Sequence, residues 1–276
     1  MKHTLSNKLS TMTLVVTAAL TTGSYIAPAA AGVTGTPSTE FTAKVHVISD
    51  NTCQINVQPP ALSVFDVTWT GNTASDTSSI VLNNSAKDPI KVTATGGADC
   101  SLNNVTINAE VPGRPNPRAT HLTAAHSVLY DFGSTGGAWA ILPGVKRVRL
   151  FTDPKFTAET AAEITVTEAN GSKGTQTKSP ASLAGHIGTY ATQFGSQAMQ
   201  LADSYVGGAL TDASGKGGAV RFSTDAAKEK YLSAEIYIGG VIGVDPVNAE
   251  TGVVNRKVAA NGDTAVMPFT VVISEA

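Results

Sequence analysis

Short runs of alternating apolar and polar residues dominate this sequence, and no other feature restricts its fold as strongly. One such run, FTAKVHVISDNTCQINV at residues 41–57, has apolar side chains at every second position on both sides of a break. Similar runs follow in IKVTATGG, in NVTINAEV and in the final PFTVVISEA. A period of two is typical of a strand that buries one face, and turn residues separate the runs about every eight to twelve positions. The pattern therefore predicts an all-β sandwich.

Two segments depart from the alternation. Over residues 186–206 the apolar side chains fall mostly three or four apart, which is the spacing of one helical face, and residues 225–232 form a second possible helical turn. Between residues 138–142 and 147–151, both predicted as strands, Gly144 is expected to mark a turn. The sequence thus predicts strands with one or two short helices.

The N-terminus has the organisation of a secretory signal peptide. Lys2, His3 and Lys8 precede an apolar run that is interrupted by threonines, and the small residues Ala29–Ala31 follow. The apolar run is shorter than the roughly 20 residues that cross a bilayer, which makes a retained membrane anchor the weaker interpretation. We expect cleavage after Ala31 and export of the remaining chain.

The charge of the chain argues against a nucleic-acid partner. Charged residues make up 14% of the sequence, against about 25% in an average domain, and the formal net charge is −2. Such a chain has no basic patch of the kind that binds phosphate backbones. Lys146, Arg147 and Arg149 are interpreted as the solvent face of one strand, and a patch for an anionic ligand is the alternative.

Cys53 and Cys100 are the only cysteines of the chain. Two cysteines in an exported protein most often form one disulfide, which is the prediction here. A reactive thiol is the weaker alternative, because an oxidising compartment would consume it.

No arrangement of residues in the sequence indicates catalysis. His121 and His126 are the only paired imidazoles, and their spacing places them on neither one strand face nor one helix face. The segment ASGKGG lacks the first glycine and the final Ser or Thr of a phosphate-binding loop. We therefore expect neither an enzyme nor a bound metal or cofactor.

The N-terminal and C-terminal parts of the chain, about 32–107 and 235–276, resemble the pilin subunits of chaperone-usher fimbriae. The similarity lies in a signal peptide, a polar tail, the strand FTAKVHVISDNTC that leads into the first cysteine, a second cysteine after IKVTATGGADC, and the final strand PFTVVIS. The resemblance implies an incomplete immunoglobulin-like sandwich that lacks its last strand. A periplasmic chaperone fills the groove of such a subunit first, and the N-terminal extension of the next subunit replaces it in the fibre.

The resemblance also implies roles for individual residues. Four apolar residues of the N-terminal run would form the donor strand that enters the groove of a neighbour: Phe41, Ala43, Val45 and Val47. Three residues of the final strand would line the acceptor groove and pair with the chaperone: Phe269, Val271 and Ile273. Donation makes physical sense, because an open groove with unpaired edges promotes aggregation unless another chain adds a strand.

Residues 1–31 are accordingly expected to be the signal peptide, 32–50 the donor-strand extension and 51–276 the pilin domain. The chain is longer than most pilins, so an insertion is expected at about 112–232. The implied function is a subunit of a cell-surface fimbria that adheres to host surfaces. Its partners would be other copies of itself or related pilins, a periplasmic chaperone, an outer-membrane usher and a host glycan or protein receptor.

Trp139 is the first candidate for a receptor contact, because exposed aromatic rings stack on sugars; burial of the ring in the core is the competing interpretation. Two other classes of protein remain open at this point. One is a two-domain tip adhesin. The other is a secreted β-sandwich that binds carbohydrate or acts as an enzyme.

Overall fold

A computed structural model describes sixteen separate segments of the chain. They are residues 33–35, 38–45, 53–61, 64–72, 77–83, 88–97, 100–117, 127–133, 135–160, 164–167, 173–176, 198–201, 210, 218–224, 229–260 and 262–275. For residues 33–35, 38–45, 72, 173–176, 198, 200 and 275 the backbone alone is described. These segments contain strands and one short 3₁₀ helix at Arg256–Val258, which confirms the all-β prediction. None of them contains a helix long and apolar enough to cross a membrane.

The first sheet has nine strands. They are β1 (Val33–Gly35), β2 (Ser38–Val45), β4 (Val64–Asn72), β5 (Thr77–Leu82), β7 (Asn104–Glu110), β11 (Ile164–Thr167), β12 (Lys173–Gln176), β14 (Ala219–Ser223) and β17 (Phe269–Glu275). Their order is β1-β4-β2-β17-β7-β14-β11-β12, and β5 pairs with the other side of β4.

The second sheet has eight strands. They are β3 (Cys53–Gln58), β6 (Ile90–Gly96), β8 (Arg114–Pro115), β9 (Val128–Phe132), β10 (Gly137–Phe151), β13 (Ala198–Gln200), β15 (Ser233–Gly243) and β16 (Val247–Asn248). Their order is β3-β6-β15-β10-β9-β8, with β13 on β15 and β16 on β10. Strands from 112–232 thus lie in both sheets, and β10 pairs with β15 in the middle of the second.

Two hydrophobic clusters hold the sheets together. Cluster 1 combines side chains of β3, β6, β10 and β15 with side chains of β7, β11, β14 and β17. Cluster 2 joins β4 of the first sheet to β9, β10 and the end of β15 in the second. The alternation in the sequence explains this arrangement. In β7, for example, Val105, Ile107 and Ala109 are buried and the residues between them are partly exposed.

The predicted disulfide between Cys53 and Cys100 is confirmed. Its Cα atoms lie 5.0 Å apart, and the two residues are 47 positions apart in the chain. Cys53 begins β3 and Cys100 follows the turn after β6, so the bond fastens two neighbouring strands at one end. Closing a loop of this length would stabilise the fold by about 4 kcal/mol on the chain-entropy model.

The helix predicted over residues 186–206 is wrong where the structure describes the segment. Ala198–Gln200 is strand β13 and pairs antiparallel with Gly243, Ile242 and Val241 of β15. Pairing with an exposed strand edge here overrides a weak helical pattern. Residues 186–197 and 202–206 lie outside the described segments.

The second possible helical turn, over residues 225–232, is also absent where it is described. Residues 225–228 lie outside the described segments. Residues 229–232 form no helix. The carbonyl of Leu232 accepts from the Ala94 N–H at 2.8 Å, and the carbonyl of Tyr231 accepts from the Leu102 N–H at 2.7 Å.

The turn predicted at Gly144 is wrong, because β10 runs without interruption through Pro143 and Gly144. These two residues pair with Gly240 and Gly239 of β15, and the register shifts between Val145 and Arg147. A Cβ atom at Gly240 would lie 2.5 Å from the carbonyl oxygen of Leu142. The Pro143–Gly144 sequence therefore marks a bulge and a close approach of β10 to β15 inside one long strand, and it does not form a turn.

Candidate strand-complementation site

The N-terminal segment that the sequence marks as a donor strand lies in the first sheet of its own chain. Val33–Gly35 pairs antiparallel with Gly71 to Trp69 of β4. Ser38, Thr39 and Glu40 continue along β4 opposite Asp66, Phe65 and Val64. β1 and β2 therefore follow one side of β4 from its C-terminal end to its start.

At Phe41 the segment changes its pairing partner. Phe41 to Val45 run parallel to β17, with Phe41 opposite Phe269, Ala43 opposite Val271 and Val45 opposite Ile273. Every other strand pair in the described part of the chain is antiparallel. Parallel pairs are slightly less stable per residue than antiparallel ones.

The three residues predicted to line the acceptor groove are all in the core. Phe269, Val271 and Ile273 are buried in cluster 1. On its other edge β17 pairs antiparallel with β7, from Thr270 opposite Glu110 to Glu275 opposite Val105. Without β2, the edge of β17 at residues 269–273 would lose its strand partner.

β2 also separates the two hydrophobic clusters within the first sheet. Its neighbour β17 contributes side chains to cluster 1, and its neighbour β4 contributes Phe65, Val67 and Trp69 to cluster 2. A single strand thus links strands that carry different parts of the core, through residues 38–40 to β4 and through residues 41–45 to β17. We call this position, between β4 and β17, the slot. Val47, the fourth predicted donor residue, lies outside the described segments.

The prediction of Trp139 as an exposed receptor contact is wrong. Its side chain is 1% exposed, and the indole Nε1 donates to the carbonyl oxygen of Gly243 at 2.7 Å. The Trp139 ring packs against Trp69 of the other sheet, with centroids 5.7 Å apart in a T-shaped arrangement. The competing interpretation holds: this tryptophan joins the two sheets inside cluster 2.

The two arginines of β10 form ion pairs with neighbouring carboxylates. Arg149 contacts Glu159 at 2.7 Å and Glu235 at 2.6 Å, and Arg147 contacts Glu159 at 3.2 Å. The hydrogen bond to Glu159 raises the pKa of Arg149, with further contributions from Tyr237 and Glu235 against the effect of burial. Burial lowers the pKa of Lys146, and the charge of Arg147 adds to this effect. These pairs leave little support for an anion-binding patch.

A tight loop after β10 carries the one non-glycine residue with a left-handed backbone in the described segments. Phe156 has φ 62°, and its ring packs against Phe151 with centroids 5.5 Å apart. The carboxylate of Asp153 accepts from the N–H groups of Lys155, Thr157 and Ala158 at 2.7, 3.0 and 2.6 Å. These bonds, above all the bond from Ala158, lower the pKa of Asp153. The loop is held by its own hydrogen bonds and stacking.

No group of three or more potential metal-ligating side chains occurs in the described segments. His121 and His126 lie outside those segments. Comparison of the chain with protein-family models, with curated proteins and with solved structures finds no match.

The sequence indicated β2 and β17 by their alternation, but not that they are neighbours. Parallel pairing of β2 with the last strand joins segments more than two hundred residues apart, and nothing local to either strand encodes it. The charge pairs on β10 were also missed. Glu159 and Glu235 lie far from each other in sequence, and only the register between β10 and β15 brings Glu235 beside Arg149.

Proposed function

We propose that this protein is a structural subunit of a bacterial surface fimbria that polymerises by strand complementation. In this proposal the two sheets form an immunoglobulin-like sandwich that is incomplete without a strand in the slot. The observation that carries the proposal is the position of β2. It comes from the extreme N-terminal part of the described chain, and it completes the sheet between β4 and the last strand, β17.

Exchange of β2 between copies would follow from the way the segment is attached. β2 holds β17 through one parallel ladder of five residues, and a copy of the same segment from a neighbour could form equivalent contacts. The buried residues Phe269, Val271 and Ile273 of β17 need a covering strand from either source, because an open edge beside apolar side chains promotes aggregation. A monomer closed by its own strand is then a precursor of the fibre.

The proposal includes the partners and the location that this mode of assembly requires. They are other copies of the chain or related subunits, a periplasmic chaperone that occupies the slot during export, and an outer-membrane usher, with the fibre at the cell surface. Adhesion to a host glycan or protein belongs to the proposal as a property of the assembled fibre. With Trp139 buried, we assign adhesion to no described residue.

A labelled peptide tests whether the slot accepts an incoming strand. A synthetic peptide of residues 33–47 is incubated with the mature chain, and binding is followed by fluorescence anisotropy and native mass spectrometry. We expect slow 1:1 incorporation, because the chain's own strand must leave first. A chain that begins at residue 51 should bind the peptide faster and serves as the positive control. A peptide with Ala43→Asp and Val45→Asp is the matched negative control.

The proposal is overturned if the peptide binds the shortened chain but has not entered the folded mature chain after days of incubation. That result favours a second candidate function, a self-contained secreted β-sandwich that binds a ligand. The observation in its favour is that β2 already pairs with β4 and β17 of its own chain. In such a protein β1 and β2 are an ordinary first strand and do not leave the sheet.

A further inference from the structure

Tyr130 of β9 connects the second sheet to the last strand of the first. Its hydroxyl donates to the carbonyl oxygen of Pro268, the residue directly before β17. The side chain is buried in cluster 2 and is 7% exposed. This hydrogen bond therefore ties the two sheets together at the point where the acceptor strand begins.

The chain passes from one hydrophobic cluster to the other at this point. Ala265 and Met267, which precede Pro268, are buried in cluster 2, whereas Phe269 is buried in cluster 1. The bond from Tyr130 lies at the crossing. It thus fixes the place at which the chain leaves cluster 2 and enters the sheet beside the slot.

The start of β17 extends beyond the ladder to β7. That ladder begins with Thr270 opposite Glu110, whereas the ladder to β2 begins one residue earlier, with Phe269 opposite Phe41. The proline before it has no backbone N–H with which to join a ladder. The first residue of the β17 edge is therefore paired with β2 but is not part of the β7 ladder.

The same tyrosine contacts the segment that follows β7. A Cβ atom on Gly113 would lie 2.8 Å from Cε2 of the Tyr130 ring, so the ring lies directly against the Gly113 backbone. Burial raises the pKa of Tyr130, and a hydrogen bond from the Gly113 backbone opposes this effect. Tyr130 thus links the chain after β7 to the chain before β17, at the end of the ladder where Glu110 and Thr270 pair.

We propose that Tyr130 is a positioning residue, which holds Pro268 and Phe269 in place for the strand that occupies the slot. An edge that is already fixed binds a strand more tightly than one that must be ordered during binding, because less conformational entropy is lost. For a strand from a neighbour this inference rests on the proposed function. For the chain's own β2 it does not, because that pairing is present in the structure.

The test compares the two ends of the ladder between β2 and β17 in the full mature chain. Thr42→Cys/Thr270→Cys places a cysteine pair near the start of β17, and Lys44→Cys/Val272→Cys places one two positions further along. Equilibrium with glutathione, with the native disulfide intact, gives the effective concentration of each pair. Tyr130→Phe keeps the ring and removes only the hydroxyl. It should lower the effective concentration of the first pair about threefold to tenfold, as the loss of one hydrogen bond implies, and that of the second pair much less.

Tyr231→Phe is the matched control. Tyr231 is also buried, and its hydroxyl oxygen lies 3.0 Å from the Thr160 hydroxyl and 3.1 Å from the Glu229 carboxylate, both outside the strands. Its removal should lower the stability in urea but affect the two cysteine pairs alike. Gly113→Ala is a second test variant, because its methyl group would displace the Tyr130 ring, and it should act as Tyr130→Phe does.

Uptake of the 33–47 peptide relates this role to strand exchange. Tyr130→Phe should take up the peptide up to about tenfold faster than Tyr231→Phe, because its own strand is held less firmly and leaves sooner. Equal changes of the two cysteine pairs in Tyr130→Phe, or equal uptake by the two variants, would overturn the inference. Peptide that enters no chain, the wild type included, would overturn the proposed function, and the cysteine pairs alone then decide the role of Tyr130.

Discussion

The two buried tryptophans show how much a single side chain contributes to joining the sheets. Trp69 and Trp139 are 0% and 1% exposed and contact each other across the core. They differ in one respect: Trp139 Nε1 donates to Gly243, whereas no described residue accepts a hydrogen bond from Trp69 Nε1. The sequence gives no sign of this difference, because the acceptor for Trp139 lies on β15, 104 positions away in the chain.

Trp139→Phe is expected to destabilise the protein more than Trp69→Phe. Both changes shrink a buried ring, but only Trp139→Phe also removes a hydrogen bond and leaves the Gly243 carbonyl without that donor. We expect an additional loss of about 1 kcal/mol or more. Urea unfolding of the two variants, compared with the wild type, measures the difference. Equal losses would contradict the assignment of the Trp139 hydrogen bond.

The Asp153 loop gives a prediction about pH. Hydrogen bonds from the Ala158, Lys155 and Thr157 N–H groups lower the pKa of Asp153 below its ordinary value of 3.8. A carboxyl with a lowered pKa contributes its stabilisation fully above the unfolded-state pKa and loses it as the pH falls through the folded-state pKa. Asp153→Asn should therefore unfold at a lower temperature than wild type at neutral pH, and the difference should shrink as the pH falls below 3.8. A difference independent of pH would contradict this role.

At the scale of the elements, the sequence predicted which strands are present better than it predicted where each strand begins and ends. The alternation of β3, β6, β7 and β17 identified these strands, because the apolar side chains at alternate positions of each pack in cluster 1. Strand β10 was divided in two, since Pro143 and Gly144 are ordinary turn residues, and only the facing glycines of β15 allow the strand to continue. The short strand β13 has a helical spacing in sequence, and its pairing with β15 decides its conformation.

Gly240→Ala tests this explanation for the length of β10. The new methyl group would meet the Leu142 carbonyl oxygen at 2.5 Å, and a backbone atom in the middle of a ladder cannot easily move away. We expect a loss of stability of roughly 1–3 kcal/mol, measured by thermal and urea unfolding. Wild-type stability of this variant would show that the two strands are not so closely opposed.

At the scale of the whole molecule, the N-terminal segment pairs with strands of its own chain. β2 joins strands that carry the two hydrophobic clusters, and it does so through a ladder to β4 and a parallel ladder to β17. The resemblance implied that residues 41–47 fill the groove of a neighbour. Residues 41–45 instead pair with β17 of their own chain, and residues 46 and 47 lie outside the described segments. In the proposed exchange, a strand from the same chain and a strand from a neighbour would compete for β17, and concentration and kinetics would decide between them.

The most direct test of strand exchange uses two chains that each carry one cysteine in addition to the Cys53–Cys100 disulfide. Thr42 of β2 and Thr270 of β17 are register partners, and neighbouring strands lie about 4.8 Å apart, within the range that a disulfide spans. The double variant Thr42→Cys/Thr270→Cys should form an internal disulfide and so verifies the register.

A Thr42→Cys chain and a Thr270→Cys chain are then mixed, incubated, oxidised and analysed by non-reducing electrophoresis and mass spectrometry of the linked peptides. Exchange predicts a dimer linked between the two different chains. Internal closure of the double variant without any linked dimer in the mixture would contradict it.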